Sequence, residues 1–429
     1  MIRPTTLGRL ASIAVAISIA ASAEDAPLDV VTAPLPGLLP DLVALYEDLH
    51  RNPELSGEEA RTADTLAGRL RSLGFEVTTG IGGHGVVGVL RNGAGPTVLL
   101  RTDLDGLPVA EKTGVPHASR VAGRMHACGH DLHMTAWVGT ATLLARARDR
   151  WHGTLFLVGQ PAEEVGTGAR AMLRDGLFER FPKPDSAIAI HASAEQPAGR
   201  VTYTSGWALA NVDSVDLRIH GKGGHGAYPH RTVDPIVIAA RTVMALQTLV
   251  ARENNPLDPA VVTVGSIHGG TKHNVIPDDV ALQLTVRSYT DDVRRRLLAG
   301  IERIAKAEAA AAGAPRDPEM TVDQGTPSTY NDPELTARVA GVLRRALGEV
   351  SVVEQPAVMG GEDFSEFGRA GVPAVILWVG AVDPAAHAAA ETSGATLPAL
   401  HSPLFAPDVE RALSTAVRAE TAVLLDLLR

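Results

Sequence analysis

The chain has 429 residues, 45% of them hydrophobic and 21% charged, a composition typical of a folded globular protein and a length too great for one ordinary core. Its formal net charge of −10 argues against a nucleic-acid partner, which would want a basic surface. Aromatic residues make up only 4%, so the core must be built mainly from Ala, Val, Leu and Ile.

In chain order, the N-terminus reads as an export signal. Arg3 and Arg9 supply positive charge, 10–21 is an apolar run, and Ala21-Ser22-Ala23 fits an A-x-A cleavage site that leaves Glu24 first in the mature chain. The run is too short to span a bilayer, so residues 1–23 are expected to be removed and the mature protein to be periplasmic or secreted, away from the membrane. Residues 24–40 hold several prolines and are expected to form an extended lead-in. Helices are expected over 41–52 and 58–73, the second stopped by Gly74. Strands and helices then alternate, which predicts an α/β domain with a mainly parallel sheet, its strands at 86–90, 97–101, 154–158, 187–190 and 374–379.

From 212 to 322 the pattern changes. A strand at 212–220 precedes a helix with Asp234 as N-cap and Pro235 in its first turn, carrying Ile236, Ala240, Val243 and Val250 on one face. Strands at 260–267 and 280–289, a helix over 291–312 and a strand near 320–322 complete a β-α-β-β-α-β unit. It reads as a domain, 212–322, inserted into a catalytic domain formed by 24–211 and 323–429. The low-polarity stretch 385–397 reads as a loop.

The only cysteine, Cys128, lies in Met125-His126-Ala127-Cys128-Gly129-His130-Asp131-Leu132-His133, with three histidines within five positions of it. A thiolate and an imidazole two residues apart can bind one divalent ion or a close pair. One cysteine cannot form an intrachain disulfide, so Cys128 reads as kept for chemistry and held reduced by a metal. The plain alternative is an inert buried thiol. Other candidates arrive at the C-terminal ends of predicted strands: Asp103 and Asp105, Glu163-Glu164, and His191. The active crevice of an open α/β sheet lies at that edge. Of two adjacent carboxylates, one can bind metal while the other takes a proton from water; a solvated pair of acids is the alternative. Alone, His401 reads as a surface histidine and 360–364 as a helix start. Glycine-rich turns such as 82–85 lack the Lys-Ser/Thr of a phosphate loop, and no G-x-S-x-G elbow occurs.

Together these motifs resemble the M20 metallopeptidase family in its amidohydrolase branch, which includes hippurate hydrolases, N-acyl-amino-acid amidohydrolases and plant auxin-conjugate hydrolases. Six segments stand in the family's order: 101–108, 125–133, 160–164, 221–230, 274–277 and 360–364. The resemblance implies two divalent ions, manganese or zinc, held by Cys128, His130, Glu164, His191 and His401. It implies Glu163 as general base, Asp103 orienting a ligand, and a lid or dimerisation domain from which His225, Asn274 and Arg287 hold the substrate carboxylate or the oxyanion. Arg101 and Cys128 stand where many members of the wider family have His and Asp, and both changes are usual in this branch. Ala194 departs from the proline usual three residues after His191. The expected reaction is hydrolysis of an N-acyl or N-aroyl amino acid, and assembly as a homodimer or higher homo-oligomer is left open. The alternatives are a dipeptidase or carboxypeptidase on small peptides, or a metal-dependent binding protein without catalysis.

Overall fold

Apolar runs become central strands where both faces of a sheet are covered. In the computed structural model, which describes residues 26–429, the strands are β1 (Glu76–Ile81), β2 (Gly85–Asn92), β3 (Thr97–Asp103), β4 (Gly153–Gln160), β5 (Ser186–Pro197), β6 (Val201–Tyr203), β7 (Gly206–Leu209), β8 (Asn211–His220), β9 (Gly224–His225), β10 (Ala260–His268), β11 (Val275–Ile276), β12 (Asp279–Ser288), β13 (Glu319–Gln324), β14 (Thr329–Asn331), β15 (Val352–Glu354) and β16 (Ala374–Val382). The expected leader, 1–23, lies outside the described residues. Eight strands form the main sheet in the order β1-β2-β4-β3-β5-β16-β6-β15, and its centre, β4-β3-β5-β16, is parallel. Alternation sorts the strand side chains between two cores: Val98 and Leu100 of β3 pack on one face and Leu99 on the other. Long helices, among them Leu35–Arg51, His130–Arg146 and Val409–Leu427, cover the first face, and short ones around Met172 and Phe367 cover the second.

Some expectations fail for identifiable reasons. Residues 24–40 are not extended where described: Ala26–Thr32 is a helix, and the next helix starts at Leu35. Pro36 falls in its first turn, which has no intrahelical N–H bond to lose, Pro40 inside the helix gives one up, and Val31 and Leu35 are buried. The stretch after Asp383 is a helix, Pro384–Ser393, capped by the Asp383 carboxylate; it buries no residue, so no apolar period marks it. The run 80–85 has the G-x-G-x-x-G spacing of a dinucleotide fingerprint but forms the turn joining antiparallel β1 and β2, with no helix behind it to receive phosphate.

A separate antiparallel sheet, β10-β12-β8-β13, carries helices Pro235–Thr248 and Asp291–Ala311 on one face. Asp234 caps the first of these through the Ile236 N–H, as its sequence predicts. The buried face of that helix differs from the expected one. Ile238, Ala239, Thr242 and Leu246 are buried, while Ile236 and Val250 are exposed. The chain enters this unit from β7 and returns through β14, and those two strands pair as a short ribbon.

One buried acid far along the first core makes stability depend on pH. Glu420 of helix Val409–Leu427 accepts a 2.6 Å hydrogen bond from Thr140 Oγ1, and its Oε1 has no partner. Burial pushes its carboxyl up to about 8, against the pull of the Thr140 hydroxyl. The folded state therefore holds the proton more tightly than the unfolded chain. The stability this brings is complete below the ordinary carboxylate range and is lost as pH rises through about 8. The loss amounts to roughly 3–6 kcal/mol by linkage. Glu420→Gln removes the titration, so it is expected to raise Tm at pH 8.5 and to change it little at pH 5. Equal shifts at both pH values in thermal unfolding would show that Glu420 does not titrate in this range.

Candidate metal centre

Parallel order brings the ends of β3, β4 and β5 to one edge, so Asp103, the Glu163-Glu164 turn and His191 meet there. His191 lies within β5 rather than after it, because β16 continues the pairing past it (Trp378 opposite His191). Gly129, at φ 88°, turns the chain into helix His130–Arg146 and places Cys128 and His130 at the same edge. His401 arrives from the loop after Pro384–Ser393, its N–H bonded to the Ala127 carbonyl at 2.8 Å. Two non-glycine residues among those described have left-handed backbones, Ala162 (φ 52°) and His401 (φ 66°), and both adjoin this centre. Such conformations cost about 1 kcal/mol or more and persist where surrounding contacts impose them. The Glu163-Glu164 turn is held by Ala162 N–H to Glu59, Glu164 N–H to Asp105 and Gly166 N–H to the Glu163 carbonyl. A side chain at Gly168 would run into the Pro161 carbonyl.

The hydrogen bonds decide which imidazole nitrogens are free. His130 Nδ1 lies 2.7 Å from the Asp105 carbonyl and His191 Nδ1 2.8 Å from the Ala192 carbonyl. A carbonyl can only accept, so both Nδ1 atoms carry hydrogen and both Nε2 lone pairs face inward. Around them, Cys128 Sγ is 3.5 Å from His191 Nε2 and 3.3 Å from His401 Nε2, Glu164 Oε2 is 3.6 Å from His401 Nε2, and Glu164 Oε1 is 3.8 Å from His130 Nε2. All five expected ligands thus converge. His133 is different: Nδ1 bonds Asp103 at 2.8 Å and Nε2 accepts the Ala192 N–H at 2.7 Å, leaving no lone pair for an ion. Asp103 therefore reaches His191 through His133 and Ala192, while the Asp105 carbonyl orients His130.

The residues fit divalent cations. His130 Nε2 and Glu164 Oε1 are buried polar atoms without a hydrogen-bond partner, pointed at the same space. Negative charge is in excess. Glu163 groups with Glu362 and Asp363, and Arg101 bonds Asp103, Glu362, Asp363 and Gln160 from a fully buried position. Burial opposes the charge of Arg101, but Glu362, Asp103 and Asp363 outweigh it. Without added cations, burial and then Glu362 push Glu163 well above the usual carboxylate range, and burial lifts Glu164 to about 7 against His130. Burial and His133 hold His191 down at about 3, neutral and able to ligate. Burial also raises the Cys128 thiol, a direction that a bound divalent ion reverses.

Over the centre is a cleft of about 560 Å³, within the range of small-molecule sites. Its walls include Leu209, Val358, Met359, Ile376 and Trp378 together with Arg287 and Asp323. Arg287 is half-buried, its Nε bonded to Thr285 Oγ1 at 3.1 Å, with no carboxylate at ion-pair distance among the described residues. His225 and Asn274 do not line this cleft. They sit exposed on the β9–β11 ribbon, where Gly226 N–H bonds the Asn274 carbonyl. Asp105, a candidate at the end of its strand, contributes its carbonyl to His130 and its carboxylate to the Glu164 N–H, while Arg101, His133 and the Glu362-Asp363 pair were not singled out as site residues. The two acids behind Gly360-Gly361 were the one visible signal for the pair.

A sequence profile of peptidase family M20/M25/M40 matches residues 99–396. Thermostable carboxypeptidase 2 of Saccharolobus solfataricus is 39% identical over 330 residues, 76% of this chain and 82% of that protein. IAA-amino acid hydrolase ILR1-like 2 of Arabidopsis thaliana is 36% identical over 366 residues, 85% of this chain and 80% of that one. The crystal structure of Bacillus subtilis YXEP protein, a dinuclear metal binding peptidase from the M20 family, superimposes with a TM-score of 0.75 at 28% identity, covering 92% of this chain and 99% of that chain. With the profile spanning most of its length and relatives at this identity, the chain belongs to peptidase family M20/M25/M40, in its amidohydrolase branch of metal-dependent hydrolases.

Proposed function

We propose that the protein hydrolyses the amide bond of N-acyl or N-aroyl amino acids, releasing a carboxylic acid and a free amino acid. The observation that carries this reading is Arg287: a half-buried guanidinium with no carboxylate at ion-pair distance among the described residues, in a cleft that also presents the apolar side chains of Leu209, Val358, Met359, Ile376 and Trp378. The cation suits the substrate carboxylate and the apolar walls suit an acyl group. Cys128, His130, Glu164, His191 and His401 would hold two divalent ions, with thiolate favouring zinc and the N/O ligands accommodating manganese. Bound there, such ions polarise the scissile carbonyl and bring the pKa of water towards neutrality. Glu163 takes the proton from water as its oxygen bonds to the carbonyl carbon, then gives it to the nitrogen as the C–N bond breaks. Asp103, acting through His133, holds the His191 backbone in place.

Asp323 favours a second reading. It lines the same cleft and could receive a free α-amino group, as a dipeptidase or carboxypeptidase would require. Hydrolysis of hippurate, N-acetyl amino acids, fatty-acyl amino acids and dipeptides, after chelation and after reloading with manganese or zinc, separates the two. Metal-restored cleavage of acylated substrates alone is expected. Cleavage confined to dipeptides would replace this reading with the second.

His225 and Asn274 we assign to the cleft of a second copy, since neither reaches its own. Exposed Ile236, Val237 and Met244 on helix Pro235–Thr248, beside exposed Ile267 on edge strand β10, give a homodimer an apolar face to bury. Mixing inactive His225→Ala with inactive Glu163→Gln is then expected to restore about a quarter of parental activity per chain, because half of the random pairs are mixed and each carries one intact site. No recovery after verified subunit exchange would rule the assignment out.

A further inference from the structure

Helix Ala60–Ser72 begins beside the Glu163-Glu164 turn, and two acids stand near its start. Glu54 caps it: its carboxylate accepts the Arg61 N–H at 3.1 Å and the Thr62 N–H at 2.7 Å. Glu59, at the N-cap position itself, makes no side-chain bond to the helix. It is fully buried and reaches across 103 positions of the chain, where Oε1 accepts the Ala162 N–H at 2.8 Å. Burial raises its carboxyl, so the position is costly for an acid that does not cap its own helix.

Ala162, at φ 52°, leads the chain from β4 into the two glutamates. In an extended backbone adjacent side chains point to opposite faces. Glu163 and Glu164 converge instead, for Glu163 Oε2 and Glu164 Oε1 each lie 3.8 Å from His130 Nε2. The left-handed residue and the turn after it, closed by Gly166 N–H to the Glu163 carbonyl at 2.7 Å, break the alternation. The Ala162 carbonyl accepts the Thr167 and Gly168 N–H groups, both at 3.2 Å, and its own N–H is held by the Glu59 side chain.

We propose that Glu59 is a positioning residue for the hydrolysis: by holding the Ala162 N–H it keeps that residue left-handed and aims the Glu163 carboxylate at the metal centre. The inference rests on the reading of Glu163 as the base. Glu164 has a separate brace. Ser56 Oγ donates to Asp105 Oδ2 at 2.6 Å, and that same oxygen accepts the Glu164 N–H at 2.9 Å. Loss of the Glu59 bond therefore falls on the base and spares the ligand beside it.

Glu59→Met and Glu59→Gln test this, since both remove the charge and keep the length of the side chain, but only Gln offers Ala162 an acceptor. In the manganese-loaded full chain acting on hippurate, Glu59→Met is expected to lower kcat about 10–100-fold, with KM within about twofold and metal content at the parental level. Glu59→Gln is expected to stay within about threefold of the parental kcat. Glycine adopts the left-handed region without the penalty of a Cβ, so Ala162→Gly added to Glu59→Met is expected to recover about fivefold in kcat. A merely structural loss would not be recovered by that change.

Thermal unfolding of the metal-free chain reads the same bond without turnover, so it still decides the matter if the proposed reaction fails on hippurate. Ala162→Gly is expected to raise Tm more in the parent, where Glu59 imposes the strained backbone, than in Glu59→Met, where the strain relaxes. An equal or larger rise in Glu59→Met would overturn the proposal. So would parental kcat in Glu59→Met, equal losses of kcat in the Met and Gln variants, loss of metal along with the rate, or no recovery on adding Ala162→Gly.

Discussion

Glu163→Gln is expected to lower turnover by about 10²–10⁴-fold, the usual worth of a general base, while leaving bound metal at the parental level. The amide of Gln matches the carboxylate in shape but cannot accept the proton from water. Position alone does not separate the two adjacent glutamates, since Glu163 Oε2 and Glu164 Oε1 both lie 3.8 Å from His130 Nε2. Their other neighbours do. Glu164 also reaches His401 and groups with Cys128, whereas Glu163 groups with Glu362 and Asp363, beneath which lies Arg101. The first surrounding is that of a ligand and the second that of a proton acceptor among acids. Metal content by atomic emission, measured beside the rate of hippurate hydrolysis, checks the assignment. If Glu163→Gln lost its metal, the roles of the two glutamates would have to be exchanged. If it kept its rate, the base would have to be sought elsewhere, with Glu362 the next acid.

Cys128→Ser is expected to lose metal and activity together. Sγ lies within 3.5 Å of the Nε2 atoms of both His191 and His401, so it stands between two further candidate ligands from distant parts of the chain. A serine hydroxyl keeps its proton at neutral pH and offers a harder, weaker donor than thiolate. Partners that only orient metal ligands cost about 10–100-fold in affinity when removed, and a direct ligand should cost at least as much. The change deletes no volume that would open a cavity, so unfolding at moderate temperature is not the expected route to inactivity. Titration of the metal-free variant with zinc or manganese reads the loss directly. Parental affinity with parental rate would remove Cys128 from the metal site.

Much of this arrangement was already legible in the residues. The apolar runs of β2, β3, β4, β5 and β16 marked the buried strands, because a strand covered on both faces must be apolar throughout. The candidate positions Glu164 and His191 followed from their place at strand ends, and Cys128 and His130 from the only cysteine and its neighbours, whereas His401 followed only from the family resemblance. Apolar pattern was a weaker guide for helix Pro235–Thr248, which carries apolar residues all round. Periodicity then cannot say which side meets β8 and β12 and which side meets solvent. Residues 384–393 failed for the opposite reason: that helix buries nothing, and only Asp383 and Pro384 announced it.

The sequence by itself determined the class of fold and the inserted β-α-β-β-α-β order, and it marked Cys128, His130, Glu164 and His191 as candidates, because each depends on residue type at a local spacing; His401 entered only through the family resemblance. Only the tertiary structure decided what acts on them. It assigned the His130 tautomer to the Asp105 carbonyl, occupied both nitrogens of His133 so that it links Asp103 to the Ala192 N–H, and set Arg101 under three acids drawn from β3 and from residues 362–363. It also left His225 and Asn274 outside the cleft of their own chain. Those outcomes rest on hydrogen bonds and burial between residues as many as 262 positions apart, which no local pattern records.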